Sequence, residues 1–244
     1  MKYTEEYKIK WHDTGADRAV RHSQYLVYMQ ETANLQLESL GPSLDKLRDE
    51  QKLAFILSKI KIIFKKPLFA YEKIFVRTWT CESRGYSFRR CFDIHGEDGE
   101  AVAEAVSFWA LLDLGTKRLV RTEGIDLGIE SDEPLDVEVP RRIAQPKSIP
   151  TLLGTREIRY SDIDYNMHMN NAKYPDMICD FMPIDRIASV REMTLEFLHE
   201  SALGDTLSFY GANDENRFYF KTVNSSGDVC LTAEVITGNT KEII

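Results

Sequence analysis

Long apolar runs are missing from this chain. Stretches such as Leu53-Ala54-Phe55-Ile56-Leu57 are far too short to cross a bilayer, and Met1-Lys2-Tyr3-Thr4-Glu5-Glu6-Tyr7 carries no apolar h-region. A cytoplasmic protein that makes no use of a membrane is therefore expected. Cysteine is scarce: Cys81, Cys91, Cys179 and Cys230 show neither Cys-x-x-Cys spacing nor a dense framework. That pattern excludes a disulfide scaffold and suggests reduced thiols packed as small hydrophobes. An excess of positive charge is also absent, since 31 Lys and Arg face 39 Asp and Glu for a net charge of −8. The overall field repels nucleic acid and anionic membranes, so any anionic partner must find a local basic patch. Neither Gly-x-Gly-x-x-Gly nor a P-loop occurs, and no Gly-x-Ser-x-Gly elbow is present. His12, His22, His95 and His199 make no metal-binding spacing. No cofactor and no metal are expected.

What is present is an ordinary globular composition, 43% hydrophobic and 29% charged over 244 residues, with length enough for one large domain or two of usual size. A repeat favours two. Ile9-Lys10-Trp11-His12-Asp13 aligns with Ile158-Arg159-Tyr160-Ser161-Asp162, 149 positions on, and the same offset pairs His22 with Asn171 and Tyr25 with Tyr174. Each opening leads into a helical segment. The first, 23–40, carries Leu26, Met29, Ala33, Leu37 and Leu40 at three-and-four spacing before Gly41-Pro42, and the second, 171–182, stops before Pro183. Both are apolar on more than one face, as suits a helix wrapped by a sheet. Strand-like runs follow at 60–64, 72–81, 86–95 and 101–112, then again at 192–198, 206–212, 217–223 and 228–238. Gly96-Glu97-Asp98-Gly99 and Asn224-Ser225-Ser226-Gly227 read as the matching hairpin turns. The pattern predicts an α+β protein of two tandem domains, 1–115 and 151–244. The linker, 116–150, is rich in proline and acidic residues and packs along the surface.

Chemistry concentrates in Arg159-Tyr160-Ser161-Asp162-Ile163-Asp164-Tyr165-Asn166-Met167-His168-Met169-Asn170-Asn171-Ala172-Lys173-Tyr174, where carboxylates, amides and one imidazole crowd a strand-to-helix turn. Unpaired N–H groups at a helix start can stabilise a carbonyl oxygen that gains negative charge, and a nearby base can activate water. Asp and Asn also favour turns and caps for purely structural reasons. The repeat weighs against that explanation: Asp164, Asn166 and His168 stand opposite Gly15, Asp17 and Ala19, so the base and the imidazole occur in one copy only.

The same run resembles the Asp-Asn-His motif of the acyl-acyl-carrier-protein thioesterases, in which Asp-x-Asn-x-His-(Val/Met)-Asn-Asn-x-Lys-Tyr opens the second central helix. Met29-Gln30-Glu31-Thr32-Ala33-Asn34, Phe55-Ile56-Leu57-Ser58-Lys59 and Trp109-Ala110-Leu111-Leu112-Asp113-Leu114-Gly115-Thr116-Lys117-Arg118-Leu119 are similar to other segments of that family. The resemblance implies two tandem hotdog domains, each an antiparallel sheet wrapped around a central helix. It also implies a catalytic set of Asp164, Asn166, His168 and Glu200, with the acyl-chain slot in the N-terminal domain. Glu200 takes the place of the family's glutamate, whereas Ser201 stands where cysteine is common, which removes a thiol nucleophile from that position. When Phe64 is matched to Phe197, Pro67 occupies the place of Glu200.

The implied activity is hydrolysis of fatty acyl thioesters of acyl carrier protein. Asp164 or Glu200 would act as base, or Asp164 as nucleophile; His168 would protonate the thiolate and Asn166 would position the carbonyl. An acyl-coenzyme A thioesterase, a non-catalytic acyl-binding protein and a hotdog dehydratase are the competing readings. Acyl carrier protein is acidic, and Lys59, Lys61, Lys65 and Lys66, or Arg84, Arg89, Arg90, Arg141 and Arg142, are candidates for its landing site. A monomer and a homodimer both fit.

Overall fold

The computed structural model describes residues 2–41, 43–123, 125 and 127–238. The chain divides into two compact units. One comprises Met1–Val20, Gln24–Ile60 and Lys65–Glu138, the other Arg21–Ser23, Lys61–Phe64 and Val139–Ile244.

The first unit runs β1 (Tyr3–Lys8), α1 (His22–Leu40), α2 (Leu44–Asp49), β2 (Leu53–Phe64), β3 (Lys73–Thr80), β4 (Phe88–Gly96), β5 (Ala101–Asp113) and β6 (Arg118–Val120). Its strands lie in the order β1-β3-β4-β5-β2, with β6 on β5. Helix α1 buries Leu26, Met29, Ala33 and Leu37 as their spacing predicts, and also Tyr28, Thr32 and Gln36, but Leu40, the last of that series, is exposed at the helix end. Burial thus extends well beyond one stripe, and the polar members are satisfied: Thr32 Oγ1 donates to the Tyr28 carbonyl at 2.8 Å, and Gln36 Oε1 accepts from Arg90 Nη1 at 2.6 Å. In the ladder Phe92 lies opposite Ala105, a large residue beside a small one.

The second unit runs β7 (Thr151–Glu157), a 3₁₀ turn (Asn171–Lys173), α3 (Tyr174–Cys179), α4 (Ile184–Ile187), β8 (Val190–Phe197), β9 (Thr206–Asp214), β10 (Arg217–Val223) and β11 (Val229–Thr237), with strand order β8-β11-β10-β9-β7. Here Phe220 faces Ala233 on one side and Gly211 on the other. Met177 and Ile178 of α3 are buried, as are Met193, Leu195, Phe209, Leu231 and Val235 of the strands.

Eight strands fall where the strand-like runs put them, though β2 begins seven residues earlier than 60–64 implies. The second central helix is shorter than 171–182: it opens as a 3₁₀ turn capped by Asn170, whose Oδ1 accepts the Ala172 N–H at 2.9 Å, and carries Pro175 in its first turn, where no N–H is needed. The expected stop at Pro42 lies outside the described residues, but α1 does end at Leu40, with Gly41 at φ +100°. Both hairpin turns form: Gly99 and Gly227 take φ +78° and +90°, and their N–H groups donate to Gly96 and Asn224 carbonyls at 3.0 Å each. The 116–150 stretch is less bare than its composition suggests, because β6 pairs with β5 and a strap around 130–137 binds β3.

Met29 is fully buried and Val27 on the same helix is 38% exposed. Met29→Ala should lower unfolding free energy by about 2–5 kcal/mol, whereas Val27→Ala should stay within about 0.5 kcal/mol, both read by urea denaturation.

Candidate active site

Asp162 starts the site. Its carboxylate, 2% exposed, accepts the Arg159 N–H at 3.0 Å and Arg156 Nη2 at 2.6 Å, and its own carbonyl accepts the Asn170 N–H at 2.8 Å. Between these anchors the chain makes a tight loop. The Asp164 N–H donates to the His168 carbonyl at 2.8 Å, the Met167 N–H donates to the Asp164 carbonyl at 3.0 Å, and Met167 sits at φ +65°. The Met169 N–H donates to the Ser201 carbonyl at 2.9 Å, and Ile158 exchanges bonds with Asp205 and Gly204 at 2.8 and 2.9 Å. The segment after β8 is thereby laid alongside the loop.

The N-terminal unit contains the same frame. The Gly15 N–H donates to the Ala19 carbonyl at 2.8 Å, Arg18 donates to the Gly15 carbonyl at 3.0 Å, and Arg18 takes φ +67°. The Val20 N–H donates to the Leu68 carbonyl at 2.8 Å, and Ile9 exchanges bonds with Glu72 and Tyr71 at 2.9 Å each. Asp13 repeats the role of Asp162, accepting the Lys10 N–H at 2.8 Å. The loop thus matches at an offset of 149 and the following segment at 133, so Leu68 corresponds to Ser201 and Pro67 to Glu200. This is the register that Phe64 and Phe197 implied.

On this shared frame the side chains differ. His168 Nε2 lies 3.2 Å from Glu200 Oε2, with both groups partly open to solvent. The backbone bridge between His168 and Ala202 holds the two segments in register. Asp164 is half-buried, and its Oδ1 accepts the Asn166 N–H at 2.8 Å, which fixes the carboxylate within an Asx turn. Among the described residues the Asp164 carboxylate does not bond the imidazole directly; the backbone links them. Asn166 is exposed at the loop tip. The structure therefore joins His168 and Glu200 side chain to side chain, and brings Asp164 and Asn166 into the same loop. The first copy offers Ala19 and Pro67 in place of the joined pair.

Ser201, next to Glu200, is buried, and its Oγ lies 3.2 Å from Tyr174 Oη. Burial pushes the Tyr174 phenol up to about 12, so the ring remains a neutral hydrogen-bonding partner. Sequence reasoning assigned Tyr174 to the motif without a task; its task is to tie the start of α3 to the segment that carries Glu200. The basic clusters, by contrast, do not form a bare patch. Lys61 pairs with Glu192 at 2.9 Å, Lys65 with Glu104 at 2.6 Å, and Lys66 with Asp98 and Glu100 at 3.0 Å. Arg84 pairs with Glu82 at 3.2 Å, and Arg90 is buried, which removes it as a landing residue. Arg141 and Arg142 are exposed. No group of three or more His, Cys, Asp or Glu able to hold a metal occurs among the described residues.

A strand, a tight polar loop, a central helix and an antiparallel sheet, written twice, define a tandem hotdog protein. Residues 1–124 match the acyl-ACP thioesterase N-terminal domain and residues 153–237 the acyl-ACP thioesterase C-terminal domain. The chain belongs to the acyl-ACP thioesterase family. It is similar to an acyl-ACP thioesterase from Bacteroides thetaiotaomicron, 25% identical with a TM-score of 0.88 over 97% of this chain and 98% of that one. A 12:0-ACP thioesterase from Umbellularia californica, 18% identical, shares the fold at a TM-score of 0.83 over 96% of each chain. A palmitoyl-acyl carrier protein thioesterase of Arabidopsis thaliana is 25% identical over 216 residues, 82% of this chain and 52% of that protein. The chain spans about half the length of the curated relatives it matches.

Because the first copy of the loop closes with Gly15 and Ala19, the frame does not need Asp164 or His168. Asp164→Ala and His168→Ala should each cost less than about 1 kcal/mol of stability, measured by thermal or urea unfolding.

Proposed function

We propose that this chain hydrolyses fatty acyl thioesters of acyl carrier protein to free acid and carrier thiol, using Asp164, Asn166, His168 and Glu200. One observation carries the reading: a carboxylate–imidazole pair, Glu200 and His168, is mounted on a backbone frame whose other copy carries neither group. A matching frame without the pair supports a chemical task, and not a demand of the fold, as the reason for its presence. The names of the relatives supply the substrate class.

In the proposed reaction Glu200 holds the imidazole through Nε2 and the pair takes a proton from water. The hydroxide so formed attacks the thioester carbonyl. Asp164, held at one oxygen, orients the water or the carbonyl; Asn166, at the loop tip, positions the substrate. The protonated imidazole then returns its proton to the departing thiolate. Hydrolysis needs only water and proton carriers, so no cofactor enters. We infer that residues 1–115 act as the acyl-binding domain with a vacated site, 116–150 as the linker and 151–244 as the catalytic domain. The enzyme would act in the cytoplasm, as a monomer or a homodimer. No described helix is long and apolar enough to cross a membrane.

The test is release of free acid from a ladder of acyl-carrier substrates, with the coenzyme A ester of each chain run in parallel. Wild type should release acid and thiol in equal amounts, and His168→Ala or Glu200→Gln should lower kcat by about 10²-fold or more. Faster turnover of the coenzyme A esters would transfer the assignment to that substrate class. Binding without turnover would establish an acyl-binding protein instead.

A further inference from the structure

Two cysteines outside the site form a pair that no part of the proposed hydrolysis uses. Cys81 follows the end of β3 and Cys91 lies within β4, and Thr80 pairs with Arg90 in that ladder. The Cys81 N–H donates to the Arg89 carbonyl at 2.9 Å, so the two side chains emerge on one face, diagonal to each other across the ladder. Their Sγ atoms are 3.4 Å apart and both side chains are buried. The cover is the strap of the same unit. The Asp132 N–H donates to the Thr80 carbonyl at 2.9 Å, Trp79 Nε1 donates to the Glu133 carbonyl at 2.8 Å, and Val137 is buried. The Leu135 N–H points at Cys91 Sγ at 3.5 Å.

The surroundings favour a thiolate on one member. Cys91 is drawn below the ordinary thiol range by the hydrogen bond from Cys81, against the opposing effect of burial, with the Leu135 N–H and the charges of Arg89 and Lys2 assisting. Cys81 is pushed up by the same shared proton and by burial. Asp132 is the acidic group among the neighbours that act on the pair.

We propose that Cys81 and Cys91 are a redox-active dithiol, a site of reversible disulfide formation by hydrogen peroxide in the N-terminal unit. In the first step the Cys91 thiolate attacks one peroxide oxygen; the O–O bond breaks, hydroxide leaves, and Cys91 becomes a sulfenic acid. Cys81 sulfur then attacks Cys91 sulfur, an S–S bond forms, and the sulfenic oxygen leaves as water with the Cys81 proton. Two electrons pass from the sulfurs to peroxide, and a dithiol reductant reverses the change. The sulfurs need only close from 3.4 Å to about 2.0 Å. Peroxide suits the site because it is small and both thiols are buried. Once the bond forms, the Leu135 N–H loses its thiolate acceptor, so oxidation acts directly on the strap.

The test uses the native full chain with a modest excess of hydrogen peroxide, its fold verified by circular dichroism before and after. Of the four free thiols, two should disappear, the intact mass should fall by about 2 Da, and a non-reducing peptide map should link Cys81 to Cys91, all reversed by dithiothreitol. In Cys81→Ser the sulfenic acid on Cys91 should persist and be trapped by dimedone. The proposal is overturned if the folded wild type keeps all four thiols, if the linked peptides contain Cys179 or Cys230, or if Cys91 proceeds to sulfinic acid with Cys81 intact. Should Cys81→Ser fail to fold, the wild-type peptide map decides alone.

Discussion

The constraint on which the site depends is a loop closed almost wholly by backbone hydrogen bonds. Each bond contributes on the order of 1 kcal/mol, and together they hold a non-glycine residue at positive φ, Met167 in one copy and Arg18 in the other, a conformation that costs about 1–2 kcal/mol by itself. The side chain common to both frames is an aspartate, Asp13 or Asp162, which accepts the N–H three residues before it. Because that closure is indifferent to positions 164, 168 and 200, those positions are open to any side chain the chemistry requires. The same loop can carry a carboxylate–imidazole pair in one unit and neither group in the other without a change of fold.

Much of this was legible in the residues. Helix α1 announced itself through Leu26, Met29, Ala33 and Leu37, and the paired hairpin turns through Gly99 and Gly227, because burial and positive φ each restrict residue type sharply. The outer strands β1 and β7 escaped. Tyr3–Lys8 has no fully buried residue, and Thr151–Glu157 is exposed along almost its whole length. Such segments become strands by pairing with β3 and β9, a tertiary cause that leaves little mark on local pattern. The candidate site was visible as a motif, and the vacancy of its first copy as a misalignment of Gly15, Ala19 and Pro67. What could not be read was that His168 and Glu200 meet, since strand alternation leaves the facing of a residue just beyond β8 undetermined. The juxtaposed thiols were equally hidden: ten positions apart, they become neighbours only through the β3–β4 register.

Electrostatics divide the same way. Counting charges suggested a lysine cluster at 59–66 as a landing patch, yet Lys61, Lys65 and Lys66 have acidic partners within 3 Å. Exposed pairs of this kind add little stability, but they cancel the local field that an acidic partner would sense. In an acidic chain, proximity in sequence is a poor guide to available positive charge, because nearby carboxylates on adjacent strands are drawn to it. Arg141 and Arg142 lie outside the regular strands and are exposed.

Ser201 bears on how the proposed site is built. Where its family commonly carries cysteine, a reactive thiol would be the natural inference, but the position is buried and its hydroxyl meets Tyr174 Oη. Tyr25, the counterpart of Tyr174, instead bonds the backbone of Leu68, the counterpart of Ser201. In both units, then, a buried tyrosine at the start of the central helix grips the segment that follows the first inner strand, through a side chain in one copy and the backbone in the other. Position 201 therefore ties the start of the central helix to the segment that carries Glu200. A residue there can be serine while the Glu200–His168 contact is kept, since its hydroxyl meets the Tyr174 phenol and not the imidazole.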